Sequence, residues 1–380
     1  MAEENAESEI IYIFKSTWYP ELRQKILSLL SLPNDLKLIV EFDEKWLSTN
    51  IKSNLRKCEG KSALVIFLDF ASAKLDFYPL RKCRILEIIP PVDGVTYQVV
   101  LSLNDFTIPN DEVKFNSHVR QVLAQSNLLT TDSSGNEWQQ NLVILADSSI
   151  ISSVNSGNSQ EKVWEQIIEN LAKRPPINVR GKNNQSQFAD SVFFRTRILP
   201  RKNLKTPSYP KEHVFRFKEG TQYTVGISVY NSNFQKATQN EMQEIVIDYD
   251  SNLVDHVGCA QLDLPLGQRK YTKYFDFRTK EPLTGGESDI VIKGKRDSFE
   301  TPSVQIPYVL LAPKNQMIAA AFCLAIGILI LGIADTFAGS IVLWLNLKEP
   351  IDKTIWQIVI VIIGTILSAV PIIWLETKRR

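Results

Sequence analysis

The sequence predicts a multidomain chain: an α/β or α+β domain, an all-β sandwich, and a carboxyl-terminal pair of membrane-spanning helices. Three observations predict it. Up to about residue 175, apolar runs of strand length alternate with stretches of helical period. From about 190 to 312, short runs with alternate apolar residues follow one another between Gly, Pro and Asn. The last part of the chain concentrates apolar residues that the mean hydropathy of −0.10 conceals. A length of 380 residues suits two or three domains, and 44% hydrophobic residues are ample for packed cores. With 43 basic against 42 acidic residues, bulk charge excludes a dedicated nucleic-acid binder. Four cysteines exclude a disulfide framework.

The first domain, residues 1–175, is expected to mix helices and strands. Glu9–Phe14 reads as a strand. Pro20 suits a first helical position, and Leu22, Ile26, Leu29 and Leu30 form a face behind it. Leu36–Phe42 is extended, and Asp43 can cap a helix burying Trp46, Leu47, Ile51 and Leu55. Ala63–Phe70 is a buried strand by its unbroken apolar run, and Cys83–Ile89 with Thr96–Leu103 forms a hairpin. A helix falls within Val113–Gln125, a strand at Asn141–Ala146, and a last helix carries Val163, Trp164, Ile167, Ile168 and Leu171. Asn158 and Glu161 have the spacing of its capping box. The stretch TDSSGN, 131–136, is a minor boundary candidate, and Arg174–Ser191 is a polar linker.

The second domain, 190–312, offers strands at Val192–Leu199, Val214–Phe217, Gln222–Asn231, Glu244–Tyr249, Gly258–Leu264, Tyr271–Phe277, Asp289–Lys293 and Val304–Leu310. Gln222–Asn231 is the cleanest, with Tyr223, Val225, Ile227 and Val229 alternating with Thr224, Gly226, Ser228 and Tyr230. Many short strands without a helix imply a sandwich. The stretch HVFRFKEGTQYTVGISVYN, strand, Gly turn and strand ending Tyr-Asn, resembles the middle of immunoglobulin-like and fibronectin-type domains. That resemblance implies a module that binds or spaces. It departs from the antibody pattern, since Cys259 is unpaired here and no Trp accompanies it.

Within 316–376, two spans are expected at about 317–337 and 355–375, forming a transmembrane hairpin. Met317–Ala334 is uncharged, Ile355–Leu375 repeats the pattern, and LKEPIDK connects them. Trp344, Trp356 and Trp374 fall near the expected interfaces. The acidic start, MAEENAESEI, is unlike a secretory signal, which places both ends in the cytosol. Ala325, Gly332 and Gly339 recur along one helix side, and Gly364 and Ser368 lie four apart. Such small residues let helices approach closely, either within the hairpin or between copies in a homo-oligomer. Asp335 lies at the far interface if the span begins at Met317, and is buried and paired if the span slides toward Trp344.

Catalytic and cofactor motifs are missing. His118, His213 and His256 are scattered, and there is no HExxH, CxxC, P-loop, GxGxxG or GxSxG. No metal or cofactor is expected, and Cys58 and Cys83 read as buried packing. Leu68–Asp69 and Leu145–Asp147 place carboxylates at strand ends, where α/β sites gather, though turns use Asp there equally. The segment FYPLRKCR offers Tyr78 for stacking with Arg81, Lys82 and Arg84 for phosphate, a surface pocket for a nucleotide or protein ligand; the alternative is a solvated strand edge. Arg197–Lys205 is a second basic stretch, a solvated loop or a contact for anionic lipid. The layout is similar to membrane-anchored effectors of bacterial defence systems. The expected function is a membrane-anchored cytoplasmic binding or signalling protein partnered by the bilayer. The alternatives are a ligand-triggered, pore-forming effector and a membrane-tethered enzyme using Asp69, Tyr78 and Arg81.

Overall fold

The computed structural model describes residues 9–16, 20–91, 95–157, 159–174, 188, 191–200, 210–211, 213–235, 242–258, 261–280, 286–294 and 303–311. Near the carboxyl end it describes 325–326, 328–329, 338, 340, 355, 357–363 and 365. In the first domain the elements are β1 (Glu9–Lys15), α1 (Pro20–Ser31), β2 (Lys37–Asp43), β3 (Ser62–Asp69), β4 (Asp76–Ile89), β5 (Thr96–Phe106), α2 (Glu112–Gln125), β6 (Val143–Asp147) and α3 (Gln160–Lys173). The sheet runs β2-β5-β4-β3-β1-β6, with β1 and β3 parallel and the other pairs antiparallel. That is an α+β arrangement rather than a doubly wound parallel sheet.

β1 and β3 are apolar throughout because both sheet faces are covered. Ile11, Ile13, Ala63, Val65 and Phe67 face a core shared with α1 and α3. Ile10, Tyr12, Phe14, Leu64, Ile66 and Leu68 face a smaller core under Phe115, Val119 and Leu123 of α2. The sheet also curls. Leu47, just beyond β2 at one edge, makes a parallel bridge to Val143 on β6 at the other. Ser48 N donates to Val143 O and Leu142 N to Trp46 O, so the sheet nearly closes on itself. β4 bends by two register shifts against β5, between Arg81 and Cys83 and between Ile85 and Glu87. Its inward residues, Leu80, Cys83, Ile85 and Ile88, break their alternation at those same places.

Two local expectations change. The helix expected after Asp43 is three short pieces, Glu44–Trp46, Thr49–Ser53 and Leu55–Cys58, and Asp43 makes no side-chain cap. The chain must turn there because Trp46 and Leu47 bond across to the β6 edge. The stretch 131–136 is no boundary but the turn of a hairpin, Leu129–Thr131 with Glu137–Gln139. Asp132 holds that turn, accepting from Ser134 N, Asn136 N and Trp138 Nε1. The N-cap of α3 is Ser159, without a side-chain bond, and Asn158 lies outside the described residues.

The second domain is two sheets: β7 (Val192–Pro200), β9 (Gln222–Asn231), β13 (Lys270–Thr279) and β11 (Val254–Val257) in one, and β8 (Val214–Lys218), β15 (Val304–Leu311), β14 (Gly286–Gly294), β10 (Met242–Asp248) and β12 (Gln261–Pro265) in the other. Along the first the order is β7-β9-β13-β11; along the second it is β8-β15-β14-β10-β12, with Pro210–Lys211 on β8. β8 and β15 are parallel. Phe217 on β8 meets Tyr223 on β9 at 4.6 Å and Phe277 on β13 at 5.3 Å, centroid to centroid, so the sheets pack face to face as a sandwich.

The domains meet at the end of α1. A helix end leaves its last carbonyls without intrahelical partners, and α1 has no basic residue in its last turn. Partners come from elsewhere. Leu32 N bonds Ser28 O at 3.1 Å. Arg81 Nη1 bonds Leu29 O at 2.6 Å and Leu32 O at 2.9 Å. Trp164 Nε1 on α3 bonds Leu30 O at 3.0 Å, and Thr196 Oγ1 on β7 bonds Ser31 O at 2.7 Å. Ion pairs of Lys270 with Glu165 and of Arg269 with Glu169 run alongside, and one apolar core continues through both domains.

Among the described residues no helix is long and apolar enough to cross a membrane. The spans expected at about 317–337 and 355–375 fall largely outside those residues, as do Gly332, Asp335, Gly339, Gly364 and Ser368. What is described there is helical, including Ala325, Ile326, Ile328, Leu329 and Gln357–Ile363.

Arg81 also donates to Asn104 O and Asn34 Oδ1, so Arg81→Met leaves four acceptors without their donor and is expected to cost about 3 kcal/mol or more. Thr196→Val removes one bond and costs about 1 kcal/mol. Thermal melting of the detergent-solubilised full chain, with a larger loss for Arg81→Met, is the check.

Candidate functional site

At the carboxyl ends of the parallel strands β1 and β3, the curled sheet leaves its mouth open. A cavity of about 420 Å³ lies there, lined by Phe14, Lys15, Ser16, Leu22, Glu41, Phe42, Asp43, Trp46, Phe70, Trp138, Gln139 and Leu142. Its size suits a small molecule, and barrel mouths and strand carboxyl ends are common ligand sites.

Each wall has a structural reason. Phe14 closes β1 and packs edge-on against Phe77, 5.8 Å between centroids. Phe42 is the last residue but one of β2, and its ring lies beneath the Lys15 nitrogen. Trp46 sits in the segment that bonds to the β6 edge. Trp138 comes from the hairpin that Asp132 orders, with its indole nitrogen 3.1 Å from Asp132 Oδ2, and its ring lies 6.3 Å from Phe70. The bonds into Asp132, first from Asn136 and then from Trp138, hold that carboxyl down to about 2. Arg120 anchors the hairpin from behind by pairing with Glu137 and donating to Leu75 O.

Lys15 is the unusual member. It is only 6% exposed, and its nitrogen lies 3.9 Å from the Phe42 centroid. Burial, with Lys25 nearby, pushes its amine down to about 7, and Glu41 offsets that slightly. Near neutral pH it is therefore a partly uncharged amine held over an aromatic ring that lines the cavity. The two carboxylates at the wall have partners outside it: Glu41 accepts from Gln98 at 3.4 Å, and Asp43 pairs with Lys45 at 3.6 Å.

The residues singled out from FYPLRKCR do not form one pocket, and β4 is an interior strand rather than an edge. Arg81 is not at the surface. It is fully buried, stacked 4.3 Å over the Phe106 ring, and bonded to Asn104 O and Asn34 Oδ1 besides the end of α1. Burial lowers its guanidinium to about 10. Tyr78 is buried and its hydroxyl accepts from Asn170 Nδ2 at 2.6 Å. Lys82 borders a shallow depression with Asn34, Asp35, Asn104, Asp105 and Ser156, while Arg84 is exposed and donates to Gly60 O. Asp69 is buried against Arg174, 2.8 Å away, and Arg174 also stacks over Tyr78 at 5.2 Å. Asp69 and Tyr78 thus share Arg174, and Arg81 faces the other way. Asp147 caps the 3₁₀ turn Ser148–Ser153 by accepting from Ser149 N. Arg197 is bonded to Glu161 across the domains, and 201–205 lie outside the described residues. Cys58 and Cys83 are buried free thiols, and Cys259 lies outside the described residues. Among the described residues no group of three His, Cys, Asp or Glu is placed to hold a metal ion.

The sequence reading passed over Lys15. The available signal was its position: the chain IIYIF leads straight into a lysine at the end of a central strand, where burial is expected.

No protein-family model matches the sequence, and no curated protein matches it. Among solved structures, the chain is similar to native alpha-2-macroglobulin of E. coli at 13% identity and a TM-score of 0.19, over 62% of this chain and 19% of that one. The chain therefore spans about a fifth of that protein's length, and a likeness of this degree supports no statement of function.

The lowered amine of Lys15 has a consequence for stability. Its native value, about 7, lies below the ordinary 10.5 of the unfolded chain. Between those values the unfolded chain binds a proton that the native one does not. Stability contributed by this group therefore rises with pH from about 7 to about 10.5 and is flat below. The slope approaches about 1.4 kcal/mol per pH unit. Lys15→Met is expected to flatten that rise and to melt higher than the parent chain at pH 7, in parallel melting series across pH.

Proposed function

We propose that this chain is a membrane-anchored binding protein. The first domain takes a small, largely apolar ligand at the mouth of its curled sheet. The sandwich, immunoglobulin-like in this reading, holds that domain near the bilayer, and the carboxyl-terminal helices enter the lipid.

One observation carries the anchoring. The helical residues Ile328, Leu329, Ile355 and Ile358 are apolar and 59%, 62%, 52% and 55% exposed, in runs that hold no charge. Such faces are costly in water and suited to lipid. The hydroxyl of Thr365 is turned back onto Val361 O at 2.7 Å, which satisfies it without water. Lys378, Arg379 and Arg380 flank the second run and favour a cytoplasmic face for that end.

Two features favour the immunoglobulin-like reading of the sandwich. The first long strand, β7, pairs with β9 in one sheet, while β8 joins the other sheet parallel to the last strand, β15. Aromatic contacts, Phe217 with Tyr223 and Phe277, join the two sheets where no disulfide or Trp is used. Spacing rather than catalysis suits such a module. The ligand-binding role rests on the cavity, whose five aromatic walls and buried amine are more than a hydrophobic core requires.

Two measurements test this reading. The full-length chain expressed in cells is expected to stay with membranes through an alkaline carbonate wash and to be released by detergent; release by carbonate overturns the anchoring. In detergent, 2-naphthol is expected to quench tryptophan fluorescence saturably, with the response weakened severalfold by Trp138→Ala. A chain that gives no saturable quenching does not use this cavity for aromatic ligands.

A further inference from the structure

We propose that Lys15 is the nucleophile of an imine-forming site, and that the cavity at the mouth of the curled sheet takes apolar aromatic aldehydes or ketones. This inference rests on the binding role proposed above and names the ligand chemistry.

The cavity selects first by shape and polarity. Phe14, Phe42, Trp46, Phe70 and Trp138 supply faces for a flat apolar ring. Charge selects next. The wall carries two carboxylates, Glu41 and Asp43, against the one buried amine of Lys15, so it is not a basic site built for an anionic ligand. A neutral carbonyl compound meets none. The reactive group is placed last. Among the described residues Lys15 has no ion pair, and its nitrogen sits over Phe42, itself a wall of the cavity. A buried lysine beside apolar walls has the lone pair that an exposed, protonated lysine lacks, which is how desolvated lysines form Schiff bases.

The step balances without any further reactant. The nitrogen lone pair of Lys15 attacks the carbonyl carbon and the C–N bond forms. The carbonyl π pair moves to oxygen, which takes up a proton. The carbinolamine then loses that oxygen as water, carrying the remaining N–H proton, and leaves the C=N bond. Addition and dehydration together release one water and oxidise nothing. If the imine is protonated, Glu41 is the carboxylate nearest in effect and Phe42 is the ring beneath it. Lys25 is the neighbouring cation that opposes the charge.

The experiment uses the detergent-solubilised full chain at pH 7 with 2-naphthaldehyde and cyanoborohydride, which reduces an imine to a stable secondary amine. Peptide mass spectrometry then locates the adduct. Lys15 is expected to be labelled at least about tenfold faster than the exposed Lys45, because burial holds its amine well below the ordinary lysine range. Lys15→Met and Lys15→Arg are expected to lose that adduct, and 2-naphthol quenching of the same variants reports whether the cavity is intact. Excess 2-naphthol is expected to slow the labelling of Lys15 and to leave Lys45 unaffected. If 2-naphthol binds the parent chain while Lys15 is labelled no faster than Lys45, the imine proposal is overturned and the binding role stands. If 2-naphthol does not bind and Lys15 is not preferentially labelled, both are overturned.

Discussion

The architecture depends on one awkward helix end. α1 stops at Ser31 inside the protein, with no basic residue in its last turn and no glycine to turn its carbonyls toward water. Left unpaired, those carbonyls would each cost on the order of 1–3 kcal/mol. Arg81 from β4, Trp164 from α3 and Thr196 from β7 supply the donors. The sheet, the last helix of the first domain and the sandwich are therefore held together by one requirement for polar satisfaction. The charged member suits the role, since a guanidinium placed at a helix carboxyl end is favoured by the helix dipole as well as by its hydrogen bonds. The ion pairs from α3 to Arg269 and to Lys270 at the start of β13 are partly exposed and contribute little by comparison.

The same logic separates the two unusual cations of the first domain. Arg81 is completely buried and fully engaged, so its charge is part of the scaffold. Lys15 is almost as buried, but it meets an aromatic ring where a carboxylate would be expected. A scaffold with no use for an amine at that place would be more stable with Met or Leu there. The sheet keeps the lysine at the carboxyl end of its parallel pair, where it borders the cavity on one side and the core residues Ile13, Ile26, Leu29, Val65 and Leu101 on the other. That contrast, more than the depth of burial, separates it from Arg81.

Much of the fold was legible because its signals are local. The unbroken apolar runs at Ile10–Phe14 and Ala63–Leu68 have strand length, and the alternation of Tyr223, Val225, Ile227 and Val229 marks a strand. Gly226, Ser228 and Tyr230 on its other side are buried as well, so it is not the half-buried strand that the alternation implies. Eight of the nine sandwich strands β7 to β15 were expected within a few residues of where they lie; the ninth, β11, is too short and too polar, with Asp255 and His256 exposed, to announce itself. What sequence could not show is closure. The helix expected after Asp43 breaks because its residues bond to β6, about a hundred positions further on. The basic run at 81–84 looked like surface because β-strand alternation cannot reveal a register shift, and the shift at Arg81 is what turns that side chain inward. Lys15 was missed for a related reason. Its partner wall, Phe42, lies at the far edge of the sheet, and only the curl brings the two edges together.

The curl also explains how a cavity survives beside a packed core. Leu22, in the first turns of α1, lines the cavity, and the last carbonyls of the same helix bond Arg81, Trp164 and Thr196. A helix of twelve residues spans about 18 Å. Its apolar face, Ile26, Leu27, Leu29 and Leu30, is buried in the larger core. One helix therefore borders the cavity near its start and is tied at its end to the sheet, to α3 and to the sandwich by four bonds from three separate elements.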